Sequence, residues 1–230
     1  MIQFIKVIVL NIFFLFNICF YMDLFALSTN ELDVRIRESK FVLEEMQEMP
    51  DGAIPMDLLN NCSGVVIFPS VFNVGFGLGG FYGKGVLLRK DELTGNWSAP
   101  VFMRISGGTI GLQLGIQLTD LILIIMNNRA VNNISCNNFV LGFDSSVAFG
   151  PVGRSVTAST DFLLKTGIFA YSRNRGLFLG VSFKGAKINA IEDYNKFYYG
   201  ENIFVDDILF TNKVKITNEG QKLIKVLKRS

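Results

Sequence analysis

The sequence predicts an α+β fold: a mainly antiparallel, strongly curled β-sheet, barrel- or sandwich-like, with an N-terminal amphipathic helix before it and a short C-terminal helix after it. Three observations carry this. Apolar runs of strand length follow one another from Val65 to Phe183, separated by turn signals and without long intervening helices. Glycine fills five of the six alternate positions from Gly75 to Gly85, interrupted only by Phe81. Charged, helix-periodic segments flank this strand region on both sides.

The glycine ladder is the most specific of the three. A strand points successive side chains to opposite faces, so one face here is nearly bare backbone. The other carries Val74, Phe76, Leu78, Tyr82 and Val86. Each glycine weakens a strand by roughly 0.5–1 kcal/mol relative to alanine, so the row calls for a close approach, a sharp bend or a ligand. Residues 107–118 repeat the pattern, with Ile110, Leu112, Leu114, Ile116 and Leu118 facing one way. Gly107, Thr109, Gly111, Gln113, Gly115 and Gln117 face the other. Two such bare faces are expected to approach each other and let a small sheet curl tightly.

The elements follow in chain order. Lys6 precedes an apolar run from Val7 to Met22, and polar sequence begins at Ser28. This pattern predicts a signal peptide over residues 1–28, cut before Thr29 by the small-x-small spacing of Ala26 and Ser28; a retained N-terminal anchor is the alternative. Ile18 before Cys19 is not the small residue that lipidation of that cysteine requires. Over residues 29–53, Leu32, Ile36, Val42, Leu43, Met46 and Met49 make one apolar stripe of a helix that Pro50, Asp51 and Gly52 end. Acidic residues outnumber basic ones on its polar faces, which favours docking on the core over lying on a membrane.

Pro55 is suited to the first position of a short helix through Leu58 and Leu59. Val65 to Phe68 reads as a buried strand, followed by the ladder and Val86 to Leu88. Asp91 to Asn96 reads as a turn around Gly95. Extended runs resume over Trp97–Ile105, 107–118 and Leu121–Ile125. Asn127 and Asn128 are placed to cap a helix around Ala130. Strands are expected over Phe139–Phe149, Ile168–Tyr171 and Leu177–Phe183. Residues 211–230 hold Lys213, Lys215, Lys222, Lys225, Lys228 and Arg229 against the single acid Glu219, and end in a basic amphipathic helix. That helix is either docked with a solvated lysine face or laid on an anionic surface.

Composition narrows the chemistry. Half of the chain is hydrophobic and its mean hydropathy is +0.37, with a net charge of +2. It contains no histidine, which removes Ser-His-Asp and Cys-His catalysis and histidine metal sites. Cys62 and Cys136 are too few for a four-cysteine zinc site; they are a disulfide pair or, the favoured reading, two buried thiols. Gly75-Phe76-Gly77-Leu78-Gly79-Gly80 matches the dinucleotide fingerprint literally. The following residues are poor helix formers, and no acid follows about twenty positions on. No paired carboxylates stand at a catalytic spacing. A transmembrane barrel fits the strands but not the charged helical ends. The expectation is a protein that is not an enzyme, takes no cofactor and binds neither nucleotide nor nucleic acid.

Taken together, the motifs from Ile54 to Gly200 resemble the SYLF domain, a lipid-binding family related to the Las17-binding actin regulators. The resemblance rests on Ile54-Pro55 with Leu58-Leu59, Gly64 to Pro69, Gly75 through Gly85, and Trp97-Ser98-Ala99-Pro100. It continues through Gly107-Gly108, Gly111 to Gly115, Thr119-Asp120 to Met126-Asn127 and Gly150-Pro151-Val152-Gly153-Arg154. It closes with Tyr171-Ser172-Arg173, Gly176 to Gly180 and Tyr198-Tyr199-Gly200. It implies a non-enzymatic domain over 54–210 that binds an anionic phospholipid or membrane surface, here as an exported, bacterial-type member in the periplasm or secreted space. Asn73 departs from the family, whose members often carry lysine nearby. Cationic side chains hold phosphate by charge-assisted bonds, which makes Lys84, Arg104, Arg154, Arg173 and Arg175 the candidate headgroup residues. Lys222, Lys225, Lys228 and Arg229 are candidate membrane-surface helpers. A structural or protein-interaction module without lipid is the alternative.

Overall fold

The computed structural model describes residues 28–49, 54–136, 139–150, 167–175, 185–211 and 213–228. The expected signal peptide or anchor up to residue 27, Cys19, Arg154, Arg229 and the strand expected over Leu177–Phe183 lie outside them. Among the described residues, no helix is long and apolar enough to cross a membrane.

The first helix, α1 (Thr29–Glu48), begins where Ser28 accepts a hydrogen bond from the Glu31 amide through Oγ at 3.2 Å. This satisfies one of the amides that a helix start leaves without a partner. The predicted stripe is buried at Leu32, Ile36, Val42, Leu43 and Met46, and Ser39 completes it. The Ser39 hydroxyl donates to the Arg35 carbonyl at 2.9 Å, so its burial strands no polar group. Met49 is already extended, so the helix stops at Glu48, just before the expected terminators Pro50, Asp51 and Gly52. A six-residue helix follows, α2 (Met56–Asn61), with Pro55 as its N-cap and not its first helical residue.

The runs expected as separate strands merge into two long ones, β1 (Gly64–Arg89) and β2 (Val101–Ile125), paired antiparallel from Gly64↔Ile125 to Leu87↔Val101. The turn between them is tied by Asp91, whose Oδ1 accepts from the Leu93 and Thr94 amides at 3.2 and 2.9 Å. Gly95 takes the left-handed backbone, φ +69°, that the turn requires. Pro69 and Ser70 bulge opposite Asp120, between Phe68↔Leu121 and Val71↔Thr119. Ser70 sits at φ +53°, and its amide donates to Asp120 Oδ1 at 2.9 Å.

The ladder explains how so long a hairpin becomes compact. Its bare face lies against the beginning of its own strand. A Cβ on Gly83 would come within 2.8 Å of Val71 Cγ2, and one on Gly85 within 1.9 Å of the Ile67 carbonyl oxygen. The Lys90 amide donates to the Ser63 carbonyl at 2.8 Å, closing the doubled strand at its ends. The two glycine runs are in-sheet neighbours, Gly75 opposite Gly115 and Gly80 opposite Gly108. The surface that the ladder meets is therefore the start of β1, a correction to the expectation that the two bare faces meet each other.

Asn127 caps α3 (Asn128–Ser135) as expected, its Oδ1 accepting from the Ala130 amide at 2.9 Å. The expected strand over Phe139–Phe149 is split into β3 (Phe139–Val140) and β4 (Val147–Phe149). Then come β5 (Ile168–Arg175), β6 (Lys187–Ala190), α4 (Glu192–Tyr199), α5 (Val205–Leu209) and α6 (Asn218–Lys228). The sheet has six strands in the order β3-β6-β2-β5-β4, with β1 on β2 off that path. Among the described strands, only the β4–β5 pairing is parallel. Because β2 is long, it holds β1 along one edge, and along the other both β6, at Met103–Ser106, and β5, at Leu118–Ile125.

Both faces of the sheet are covered. Phe102, Ile122 and Ile124 pack with α1 and α6 in one core; Val101, Met103, Ile105, Leu121, Leu123 and Ile125 pack with α3 and α5 in the other. Double coverage is why Leu121–Ile125 is continuously apolar instead of alternating. Cys62 and Cys136 are free. Cys62 is buried, donates to the Leu59 carbonyl, and burial pushes its thiol up to about 12; Cys136 is exposed, which corrects the reading of two buried thiols.

Candidate functional site

Two questions decide whether this fold can hold a phospholipid: where apolar surface is concave, and where cations lack partners. Among the described residues they meet beside the C-terminal helix. A cleft of about 560 Å³ lies between α6, α5 and the segment after the β1–β2 turn. Trp97, Ile208, Val214, Ile216 and Ile224 form its apolar walls, and Gln221, Lys225 and Lys228 stand over it. Lys225 and Lys228 are exposed and make no ion pair or hydrogen bond among the described residues.

The sequence puts these lysines there by helical spacing. Leu223, Ile224, Val226 and Leu227 are buried, so α6 is fixed in rotation and its intervening cations point outward. This decides between the two readings of the basic helix: its apolar face is docked on the core beside α1 and its lysines are solvated. Glu219 sits in the first turn of α6, 3.7 Å from Arg37 of α1 and 2.7 Å from Lys222. The bond from Lys222, with the charge of Arg37 adding to it, holds the Glu219 carboxyl below its ordinary value of 4.5. Lys222 is thus engaged by an acid of its own helix, unlike Lys225 and Lys228.

The frame around the cleft is fixed by tyrosines. Tyr199 donates to the Pro100 carbonyl at 2.7 Å. Tyr198 donates to Asp33 of α1 and contacts Thr217 Oγ1 at 2.9 Å, joining α4, α1 and the entrance to α6. Burial, reinforced by the Asp33 carboxylate, holds the Tyr198 hydroxyl well above its ordinary value of 10.0. Asn195, 1% exposed, completes the frame. Its Oδ1 accepts from the Phe102 amide at 2.8 Å, and its Nδ2 donates to the Phe102 carbonyl at 3.2 Å and the Ile191 carbonyl at 3.0 Å.

The sequence-predicted headgroup residues are spread over the sheet. Lys84 and Arg104 are cross-strand partners on β1 and β2. Lys84 Nζ donates to the Tyr194 hydroxyl at 2.7 Å, while Arg104 is exposed on a smaller cleft beside Glu192 and Asp193. Arg173 spans Asp120 at 2.7 Å and Glu45 at 2.5 Å, fastening β5 and β2 to α1. Asp120 is 1% exposed, and Arg173 neutralises the charge it buries. Arg175 ends β5 opposite Leu118. The residues that sequence reading missed are the cleft walls: Ile208 lies in the five-residue α5, and Val214 and Ile216 in the connection before α6, none with a periodicity to read. No group of three or more His, Cys, Asp or Glu side chains able to hold a metal occurs among the described residues.

Comparison with known proteins supplies the lineage. A family model described as Ysc84, Las17-binding protein actin regulator, matches residues 106–230. Protein YSC84 of Saccharomyces cerevisiae is 33% identical over 182 residues, covering 77% of this chain and 38% of the yeast protein. SH3 domain-containing YSC84-like protein 1 of Homo sapiens is 31% identical over 187 residues, 79% of this chain and 54% of the human protein. LAS seventeen-binding protein 3 of Saccharomyces cerevisiae is 35% identical over 162 residues, 69% of this chain and 35% of that protein. The chain thus spans between about a third and about half of these relatives' length. With the curled sheet, its flanking helices and this extent of similarity in place, the chain belongs to the Ysc84 (SYLF) family of Las17-binding actin-regulator proteins.

Proposed function

We propose that the domain is a non-enzymatic module that binds anionic phospholipid, acting at a membrane of the cell envelope or secreted space. One observation carries the reading: unpaired Lys225 and Lys228 stand over an apolar cleft lined by Trp97, Ile216 and Ile224. An apolar concavity takes an acyl chain or the upper part of a bilayer leaflet, and ammonium groups at its mouth hold phosphate. Each basic residue near an anionic surface contributes about 1 kcal/mol, and salt weakens the attraction. The export component follows from the apolar run from Val7 to Met22 behind Lys6.

The test is co-sedimentation with phosphatidylglycerol and phosphatidylcholine vesicles. The protein sediments with the anionic vesicles, less so as salt rises, and Lys225→Glu with Lys228→Glu abolishes uptake without changing thermal unfolding. Retention of full uptake by that double variant, or no uptake by the wild type, refutes the cleft as the lipid site.

The family's description and one relative's name, LAS seventeen-binding protein 3, favour a second reading, since both refer to Las17 binding. On that reading the same lysines meet an acidic protein segment. A pull-down from the native envelope that recovers one partner, together with indifference to vesicles, selects it.

A further inference from the structure

We propose that the bend of the β1–β2 hairpin is a membrane wedge, an apolar sheet surface that enters the lipid interface while a cationic collar stays at phosphate level. The inference rests on the phospholipid reading and adds a second contact, distinct from the α6 cleft. It starts from charge. No charged residue occurs between Gly64 and Gly83 or between Ile105 and Thr119. The uncharged stretches pair with each other and include the part of the hairpin that extends past the Val71–Gly83 contact.

The base of this ribbon is buried on both faces, but Phe72, Ile116 and Leu118 farther along it are exposed. Phe72 opposite Leu118, and Val74 opposite Ile116, form one patch on the sheet face that carries Ile122 and Ile124. Helix α1 covers Ile122 and Ile124, whereas Phe72 is 41%, Leu118 40% and Ile116 68% exposed. Adjacent large apolar side chains left in water on a strand pair mark a docking surface.

Charge complementarity selects the occupant. The patch contains no charge; one limit of the uncharged stretch is basic, and at the other Asp120 is paired with Arg173. Lys84 and Arg104 form the cross-strand pair where the uncharged ribbon ends, and Arg104 has no partner among the described residues. On the neighbouring strand Arg173 stands opposite Asp120 and Arg175 opposite Leu118. An uncharged apolar surface bordered by cations matches hydrocarbon beneath a layer of phosphates. This juxtaposition gives two of the dispersed headgroup candidates, Lys84 and Arg104, one shared location at the border of the wedge, while Arg173 is held by Asp120 and Glu45.

The experiment measures uptake by phosphatidylglycerol vesicles for Ile116→Asp and for the surface control Phe143→Asp, with thermal unfolding recorded for each. Phe143 is 74% exposed and lies in the connection between β3 and β4, outside the two strands of the hairpin. The wedge predicts that Ile116→Asp lowers uptake about tenfold, with Phe143→Asp unchanged. Ile116→Trp serves as a second probe: bromine on the acyl chains quenches the introduced indole well beyond the quenching of the wild type's Trp97.

Uptake that falls with Lys225→Glu and Lys228→Glu but not with Ile116→Asp, with no added quenching, overturns the wedge and leaves the cleft reading standing. No uptake by the wild type overturns both. An Ile116→Asp variant that binds vesicles fully but dissociates an oligomer in sedimentation velocity assigns the patch to a second copy of the chain, and also overturns the wedge.

Discussion

Replacing Gly85 by alanine tests the central claim about the fold, that bare backbone on β1 lets the strand double onto itself. The added Cβ would stand 1.9 Å from the Ile67 carbonyl oxygen and 2.8 Å from Phe68 Cδ1. Real Cβ contacts are essentially never under 3.0 Å, and the oxygen belongs to backbone inside a paired strand, so no side-chain rotation relieves the clash. The two halves of β1 must separate where Ile67, Phe68, Val86 and Leu87 are all fully buried. Overpacking of this kind costs about 1–3 kcal/mol or more, and a fixed backbone obstacle belongs at the upper end. Alanine's intrinsic advantage over glycine offsets roughly 0.5–1 kcal/mol, leaving a net loss of about 2 kcal/mol. Gly108→Ala is the matched control, because its nearest neighbour is the Gly79 carbonyl oxygen at an ordinary 3.8 Å. Urea unfolding followed by circular dichroism should place the Gly85→Ala midpoint about 1 M below wild type, with an unchanged slope, and leave Gly108→Ala equal to wild type or slightly above it. Equal midpoints for the two variants would refute the doubling as the reason for the ladder.

Two further outcomes follow from the frame around the cleft. Asn195→Ala removes the side chain that pairs with both backbone groups of Phe102 and leaves those groups buried; the loss is about 2–4 kcal/mol in the same urea assay, and a loss under about 1 kcal/mol would mean that water replaces the amide. Glu219 gives a pH dependence. Its folded-state carboxyl is held below 4.5, so its contribution is fully present above the unfolded value and disappears as pH falls through the lower folded value. Thermal unfolding between pH 6 and 3 should therefore fall less steeply for Glu219→Gln than for wild type, and parallel curves would count against the Arg37–Glu219–Lys222 cluster.

Local chemistry in this chain was written plainly enough to read. The α1 stripe, the Asn127 cap, the turn at Gly95 and the buried run from Leu121 to Ile125 each follow from a period or a residue type acting within a few positions. What could not be read was how far one element extends. Val65–Phe68 and Val86–Leu88 look like separate strands because Pro69 and the glycines interrupt the apolar pattern, yet hydrogen bonding to β2 carries the chain through all of them. Helices α4 and α5, of eight and five residues, are too short for a helical period to register. The cleft has the same origin. Lys225 and Lys228 stood out by charge, but their apolar counterpart is assembled from Trp97, Ile208, Val214 and Ile216, brought together only by the packing of α5 and α6.

The bulge at Pro69 and Ser70 has one more consequence. Before it, odd-numbered Val65 and Ile67 belong to the core under α1; after it, odd-numbered Val71 belongs to the opposite core. The bulge therefore takes up one extra residue of β1 and keeps the strand in step with β2, where Leu121 and Thr119 are two positions apart. Deleting Ser70 would leave Pro69 alone opposite Asp120 and restore plain alternation, with Val71 still facing Gly83 and Phe72 still opposite Leu118; what it removes is the Ser70 amide bond to Asp120. A single residue can thus be lost at the bulge without turning a core side chain outward, whereas a single deletion within the regular pairing on either side of it has no extra residue to absorb the change.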